Sequence, residues 1–337
     1  MEFVPRRVYF QEDALEHPRG KRILDQLRDE GVTDIRSTGS HNRVTGILGT
    51  TPQQAFREGK GTLVVGVKQS MEFQSCKPSA HYQLPLVTGC PGMCQYCYLN
   101  THFGKKPYVR VYVNTGEILD RADRYAQQRK PEETLFEGAA TSDPLSVERY
   151  TGSLREVVEF AAASPLVRFR FVTKYTSVEP LLKVRHAGRT EFRFSINTRG
   201  VITRFEHRTP SLEERLNAAG KVQAAGYPLG FLIAPIMADT GWQRDYRELL
   251  ETLGERIPGP FTVELITHRY TNSARKRILE VFPRTQLDMD DECRRYKYGQ
   301  FGYGKHVYPQ PVMKQIEEWF RNKIDEMLPG ATVQYFV

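Results

Sequence analysis

The hydrophobic positions change period several times along the chain, and each change marks an element. Residues 8–10 are a β-branched and aromatic triplet, after which Leu15, Ile23, Leu24 and Leu27 recur at helical intervals over 12–28. A short helical stretch at 52–59 precedes a strand over 62–68, and 82–87 reads as a buried strand. Further strands are predicted at 109–113, 134–137, 167–172, 192–196, 231–236 and 262–266, with helices at 116–128, 151–163, 210–225 and 242–253 between them. The third of these helices is announced by Thr209, a cap residue, followed by Pro210 at the first helical position. Repeated strand–helix units imply a parallel sheet with right-handed crossovers. Six or seven strands are too few to close an eight-stranded barrel, so an open, partial barrel is expected. The pattern does not say whether 109–113 belongs to it. After Ser273 the periodicity changes: 292–309 interleaves Tyr, Gly, Lys and Arg, 312–328 is an amphipathic helix and 332–337 a last strand. The expected organisation is an N-terminal α/β unit over 1–77, the partial barrel over 78–272 and a C-terminal hairpin and helix over 273–337.

At 337 residues and 39% hydrophobic, the chain can bury a large core. It has no apolar run of about 18 residues and no secretory h-region near its start, so a cytoplasmic protein is expected. Five cysteines, three of them in one loop, argue against a disulfide framework. Cys76 and Cys293 read first as small buried apolar side chains. Cys76 lies fourteen residues before the loop, which leaves an auxiliary role open. A net charge of +8 together with 17 tyrosines favours a polyanionic partner, nucleic acid first.

The chemistry concentrates at 88–100, TGCPGMCQYCYLN, where Cys90, Cys94 and Cys97 form a C-x3-C-x2-C frame. Three thiols in eight residues suit one metal centre better than disulfides, because neighbouring loop positions rarely meet disulfide geometry. Iron–sulfur cubes are held by cysteine thiolates, and three of them leave one iron open for chemistry. The alternative is a structural zinc site with Cys76 or His102 as fourth ligand, although zinc ligands usually come as two spaced pairs. The spacing, with Tyr96 just before the last cysteine, resembles the radical S-adenosylmethionine (radical SAM) superfamily. That resemblance implies a [4Fe–4S] cluster, S-adenosylmethionine as cosubstrate, a 5'-deoxyadenosyl radical and a partial (β/α)6 TIM-type barrel.

Residues just past the strands face the mouth of such a barrel. They are Ala139 to Pro144 (AATSDP), Lys174, Ser195, Asn197 and Ala234 with Pro235. Hydroxyls, an amide and a cation there suit a ligand with ribose hydroxyls, an amine and a carboxylate. Ser142 stands where the superfamily carries a glycine–glycine–glutamate turn.

Taken together, CPGMCQYCYLN, GAATSDPLSVE, the FSINT strand end and the Tyr-rich basic tail resemble the spore photoproduct lyase family over nearly the whole chain. The resemblance implies a carbon–carbon lyase that reverses the thymine dimer 5-thyminyl-5,6-dihydrothymine in the DNA of the spore core. The adenosyl radical takes hydrogen from C6 of the lesion, the methylene bridge breaks, and a hydrogen atom returns. Family members donate that hydrogen from a cysteine, and the matching residue here is Ala140, which has no weak S–H bond. The expectation is a chain that opens the reaction but closes it badly. Tyr96 and Tyr98 match the family's relay tyrosines, and Tyr96 also matches a backbone contact to adenine.

A lesion in a duplex must be extruded to reach a buried radical. The 299–308 stretch, with Gly302 and Gly304 around Tyr303, has the turn residues of a hairpin and side chains for stacking and phosphate contact. Tyr298, Tyr303, Lys305 and His306 are therefore candidate DNA contacts, and His268 and Arg269 a candidate phosphate clamp. Arg199, Arg204 and Arg208 are weaker candidates. Duplex DNA carrying the lesion is the expected partner of a monomer, with a flavodoxin- or ferredoxin-like electron donor and no membrane. A radical SAM enzyme acting on RNA or a modified nucleoside, or a non-catalytic metal-stabilised DNA-binding module, would show similar charge and aromatics.

Overall fold

The structure is a computed structural model and describes residues 2–298, 302 and 304–337. Its strands divide between two main sheets. In the first, Ile35–Thr38, Arg7–Gln11, Thr62–Gly66 and Val109–Tyr112 lie side by side in parallel, and Val87–Thr88 adds antiparallel at the edge. The 109–113 strand thus joins the N-terminal sheet. Its Val109 and Val111 are fully buried and stand in register with Leu63 and Val65. These residues share one core with Ile23 and Leu27 of the Pro18–Asp29 helix, which is why that helix showed a clean apolar stripe.

The second sheet runs Ser75–Cys76, Ala80–Gln83, Thr134–Glu137, Val167–Thr173, Thr190–Ile196, Leu229–Ile236, Phe261–Thr267 and Ala331–Phe336. All neighbours pair in parallel except Ser75–Cys76, which forms a small hairpin with Ala80–Gln83. The sheet curls into a half barrel, as expected for a partial TIM-type barrel. The single strand predicted over 82–87 divides at Pro85, which has no N–H for a ladder. There the Leu86 N–H donates to the Leu84 carbonyl at 2.9 Å, and the chain passes from one sheet to the other.

The terminal strand extends the barrel sheet, pairing beside Phe261–Thr267. The Gln310–Met327 helix before it inserts Ile316, Phe320 and Ile324, all fully buried, into the barrel's core. The helix predicted over 151–163 is broken at Gly152, whose φ of 62° ends Glu148–Thr151 and starts Ser153–Ala163. Ser211 and Glu214 form a reciprocal capping box that starts Leu212–Ala224. Asn272–Val281 is a helix that the periodicity did not reveal.

Inside the half barrel an ionic cluster joins strands that are not neighbours. Arg193 donates to Glu264 at 2.9 and 3.1 Å and also to Glu137, and Tyr335 donates to Glu264 at 2.7 Å. Both Arg193 contacts skip a strand, so they cross the concave face, while Tyr335 reaches Glu264 from the neighbouring strand. No helix among the described residues is long and apolar enough to cross a membrane.

Candidate active site

The cysteine loop starts where Val87–Thr88 ends. Gly89 adopts φ 80°, and a Cβ there would lie 2.3 Å from the Tyr108 carbonyl oxygen, so glycine is required. Its N–H donates to the Thr141 carbonyl at 2.9 Å, tying the loop to the AATSDP segment. Met93–Cys94 pairs antiparallel with Glu206–His207, and the Gln95 N–H donates to Phe205 O at 2.9 Å. The Asn100 amide reaches back to Cys94 O at 2.9 Å, and the buried Lys60 reaches Cys90 O at 2.8 Å. The loop is thereby fixed from three directions.

Cys94 is buried, and Cys90 and Cys97 are partly exposed. Burial pushes the Cys90 thiol up to about 12, the charge of Asp143 adds to this, and Lys60 opposes it. Burial raises Cys94 as well. Thiols held this way ionise against a metal's charge, which inverts the local preference. Among the described residues no three His, Cys, Asp or Glu groups are arranged to hold one ion. The thiolates of a cube each bind a different iron and need not converge on one point. The donor set, three soft thiols on one braced loop, fits that group.

Beside the loop lies a buried ionic network. Glu206 accepts from Lys174 Nζ at 3.1 Å on one oxygen, together with the Tyr96 hydroxyl, and from Arg215 Nη2 at 2.6 Å on the other. Burial alone would raise its carboxyl, but the two cations and the Tyr96 hydroxyl more than offset this and hold it at about 2. Lys174 also donates to Ser195 Oγ at 2.7 Å, and Arg215 to Ser195 O at 3.0 Å. Asp143 accepts from Thr173 Oγ1 at 2.7 Å and Lys174 N at 2.8 Å, while burial pushes it up to about 6. Asp143 falls within the AATSDP segment expected at the mouth, whereas Glu206, Arg215 and Lys60 have no such mark in the sequence. The sole hint was an acidic residue inside the arginine-rich stretch past Asn197.

Of the predicted cofactor contacts, Lys174, Ser195 and Tyr96 come together here, and Ser142 is joined to Gly89 by an isolated bridge. Ala234 stands partly exposed on Leu229–Ile236. Asn197 is fully buried and its amide is taken up by the protein: it donates to Pro235 O at 2.8 Å and accepts from Tyr246 and Thr198 N, each at 3.0 Å. Its side chain therefore holds strand ends together, and any ligand contact falls to its neighbours. The exposed Tyr98 donates its hydroxyl to the Ala140 carbonyl, joining both predicted positions. Cys76 lies on the edge strand near the ionic cluster. Burial and then Glu137 push its thiol up to about 11, with Arg193 and Arg170 opposing.

At the DNA-facing candidates, Arg295–Tyr298 and Gly304–Val307 form the expected antiparallel hairpin. Tyr298 is largely exposed, and Tyr303 lies outside the described residues. His306 is buried, stacked on Tyr270 at 5.1 Å and bonded to Asn272 Oδ1 at 2.7 Å, so it anchors the hairpin's base. Burial lowers both Lys305 and Arg269, and the Arg269 charge lowers Lys305 further. His268 is buried with neither ring nitrogen hydrogen-bonded among the described residues. Burial, then Arg294, depresses it to about 3, so the ring is neutral and not the cation a phosphate clamp needs. Arg199 pairs with Glu213 at 2.6 Å and with Glu248, and Arg204 with Asp239 at 3.4 Å. Their charges already have partners on the protein surface.

A half barrel with a thiol trio and a buried cation–carboxylate network at the carboxyl ends of its strands defines a partial-barrel α/β enzyme scaffold with one mouth. The chain belongs to the spore photoproduct lyase family, whose model matches residues 3–337. It is 49% identical to spore photoproduct lyase of Clostridium acetobutylicum over the whole of both chains. It is 45% identical to that of Bacillus subtilis, covering 99% of this chain and 98% of the relative. A solved spore photoproduct lyase with bound dinucleoside spore photoproduct matches with TM-score 0.97 at 48% identity, both chains covered in full. So does a variant carrying alanine at position 140 and cysteine at position 76, with AdoMet and the dinucleoside lesion bound.

Proposed function

We propose that the chain repairs 5-thyminyl-5,6-dihydrothymine in spore DNA by direct reversal to two thymines. The observation that carries this is the braced trio Cys90, Cys94 and Cys97 beside the Lys174–Glu206–Tyr96 network, in a chain alike over its full length to lyases solved with the lesion bound. The three cysteines would hold a [4Fe–4S] cluster, and S-adenosylmethionine would lie against Ser142, Lys174, Ser195, Ala234 and the Tyr96 backbone. Bound together and reduced by a flavodoxin- or ferredoxin-like donor, these would supply the radical chemistry that removes the lesion's C6 hydrogen. Lys174, fixed between Glu206 and Ser195, offers its ammonium to the amino acid carboxylate. Residues 1–77 shore up the cysteine loop through Lys60, and 273–337 carry the hairpin that faces DNA, Tyr298 and Lys305 among its contacts.

A second residue completes the reaction. Ala140 cannot donate hydrogen, and in place of a badly closed reaction we assign the donor role to Cys76. Its elevated thiol stays S–H at neutral pH, the form that gives up a hydrogen atom. The S–H bond would break homolytically and its hydrogen go to the thymine-side radical. The sulfur radical would take the Tyr98 O–H hydrogen, and the tyrosyl radical would take one from 5'-deoxyadenosine, returning the adenosyl radical to the cofactor, with Tyr98 held at Ala140. The variant with alanine at 140 and cysteine at 76 carries the same pair as this chain.

The test is anaerobic: iron-loaded protein, a reductant, S-adenosylmethionine and the dinucleoside lesion, with thymine and deuterium exchange into the cofactor followed. Thymine formation is expected. Colourless protein with far fewer than about four irons per chain, or cofactor cleavage without thymine, would overturn the reading. An RNA pool offered in parallel separates the nucleoside-modifying alternative.

A further inference from the structure

Lys60 lies outside the proposed cofactor and lesion contacts, yet its position is unusual. It ends the Pro52–Lys60 helix and is 1% exposed. A lysine this deep normally meets a carboxylate, but among the described residues its one hydrogen bond goes to the Cys90 carbonyl at 2.8 Å. Its Nζ lies 5.4 Å from the Phe56 ring centroid, and Phe56 packs edge-on against Phe282. The helix end packs tightly against its neighbour, since a Cβ on Gly59 would come within 2.7 Å of the Lys106 backbone. The N-terminal unit therefore delivers a rigid, dry cation to the first cysteine of the trio. Cys90 is also the thiol that accepts a backbone N–H, from Gly92 at 3.3 Å.

We infer that Lys60 is a positioning and potential-setting residue: its charge, held on the Cys90 carbonyl, stabilises the reduced form of the iron–sulfur centre. The inference rests on the proposed reading of the cysteine trio. Reduction adds negative charge to the centre, and net charge, hydrogen bonds to sulfur and solvent exposure are what set cluster potentials. A cation in a low-dielectric site acts strongly on that added charge. The effect makes the electron that starts the chemistry easier for a biological donor to supply. It also gives the N-terminal sheet a function in the reaction.

The experiment is an EPR-monitored redox titration of anaerobically reconstituted full-length protein, with iron content measured for each sample. Lys60→Met removes the charge at similar length, Lys60→Gln retains a hydrogen-bond donor, and Lys60→Arg retains the charge. For Met and Gln the reduced fraction at a fixed potential should fall about tenfold, equivalent to about 59 mV for a one-electron couple. Lys60→Arg should stay within about twofold of wild type. If Lys60→Met loses iron, Lys60→Gln decides: a lowered potential upholds the inference and an unchanged one overturns it. Full iron and an unchanged potential in both neutral variants overturn it, as does loss of iron by Lys60→Arg. Wild type that takes up no iron instead sinks the reading beneath, which keeps the two failures apart.

Discussion

Lys174 and Glu206, thirty-two residues apart in sequence, meet at 3.1 Å in the buried network beside the cysteine loop, with Arg215 on the carboxylate's other oxygen at 2.6 Å. Removing the carboxylate would take from Lys174 and Arg215 the one carboxylate that, among the described residues, their side chains bond, with Asp143 left as a nearby acid. Glu206→Gln should therefore cost about 3–5 kcal/mol in urea unfolding. The pH dependence has a definite sign. Folded Glu206 is held near 2 against a usual 4.5, so its contribution is present above about pH 4.5 and lost as pH falls towards 2. The gap between wild type and variant should narrow over that interval. A gap that is constant from pH 6 to 3 would show that the carboxylate's charge is not what stabilises the network.

The donor assignment makes a crossed prediction. Cys76→Ser should keep iron and lesion binding but cut clean thymine yield by about tenfold or more, a loss of at least 1.4 kcal/mol in the closing step. Ala140→Cys added to that variant should restore the yield, because a thiol would again stand at the family's donor position. Product analysis of the four combinations by chromatography checks this. Undiminished thymine from Cys76→Ser with Ala140 in place would remove Cys76 from the mechanism.

Tyr98 offers a third check. Its hydroxyl on the Ala140 carbonyl is the feature that Phe lacks. Tyr98→Phe should fold with unchanged iron content and lower turnover several-fold, with less deuterium returned to the cofactor. Full deuterium return in the Phe variant would rule out the relay.

How much of this was legible in sequence depended on the range of the interactions. The strands over 134–137, 167–172, 192–196, 231–236 and 262–266 were readable because each is a buried parallel strand whose apolar run needs no partner to be recognised. The cysteine loop was readable because spacing carries its chemistry. Pro85 hid a change of sheet inside one apolar run, and the last strand's place beside Phe261–Thr267 was invisible because parallel pairing leaves no local mark. Lys174 was found as a strand-end residue. Glu206, Arg215 and Lys60 were not, since each is given its role by a residue that only the fold brings near. Asn197 and His306 looked like ligand-facing polar groups, but their partners, Pro235 with Tyr246 and Asn272, lie 34 to 49 residues away.

His268 separates two modes of lesion binding. Its ring is held neutral, near 3 where 6.5 is usual, so it can donate one hydrogen bond and accept another but brings no charge. A cationic clamp would weaken as pH rises through about 6.5. Affinity of the iron-loaded protein for the dinucleoside lesion should instead be flat between pH 5.5 and 8 as far as this residue is concerned. Titrations of wild type and His268→Gln across that range check it. A tenfold fall with pH that disappears in the Gln variant would mean that the histidine is protonated when the lesion is bound.

Charge meeting DNA should come from Lys305 on the hairpin and from nearby Arg269, with the exposed Tyr298 one pair closer to the turn. Each cation that meets a phosphate releases counterions, so its loss should make the slope of log affinity against log salt shallower by about 0.9. Lys305→Ala and Arg269→Ala should each do this on lesion-containing duplex while leaving affinity for the isolated dinucleoside within about twofold. Tyr298→Ala should weaken duplex binding by about 1–3 kcal/mol through lost stacking, with little change in the salt slope. Fluorescence anisotropy from 50 to 300 mM salt distinguishes the two behaviours. An unchanged slope in both cation variants would move the DNA contact away from this hairpin and towards another face of the protein.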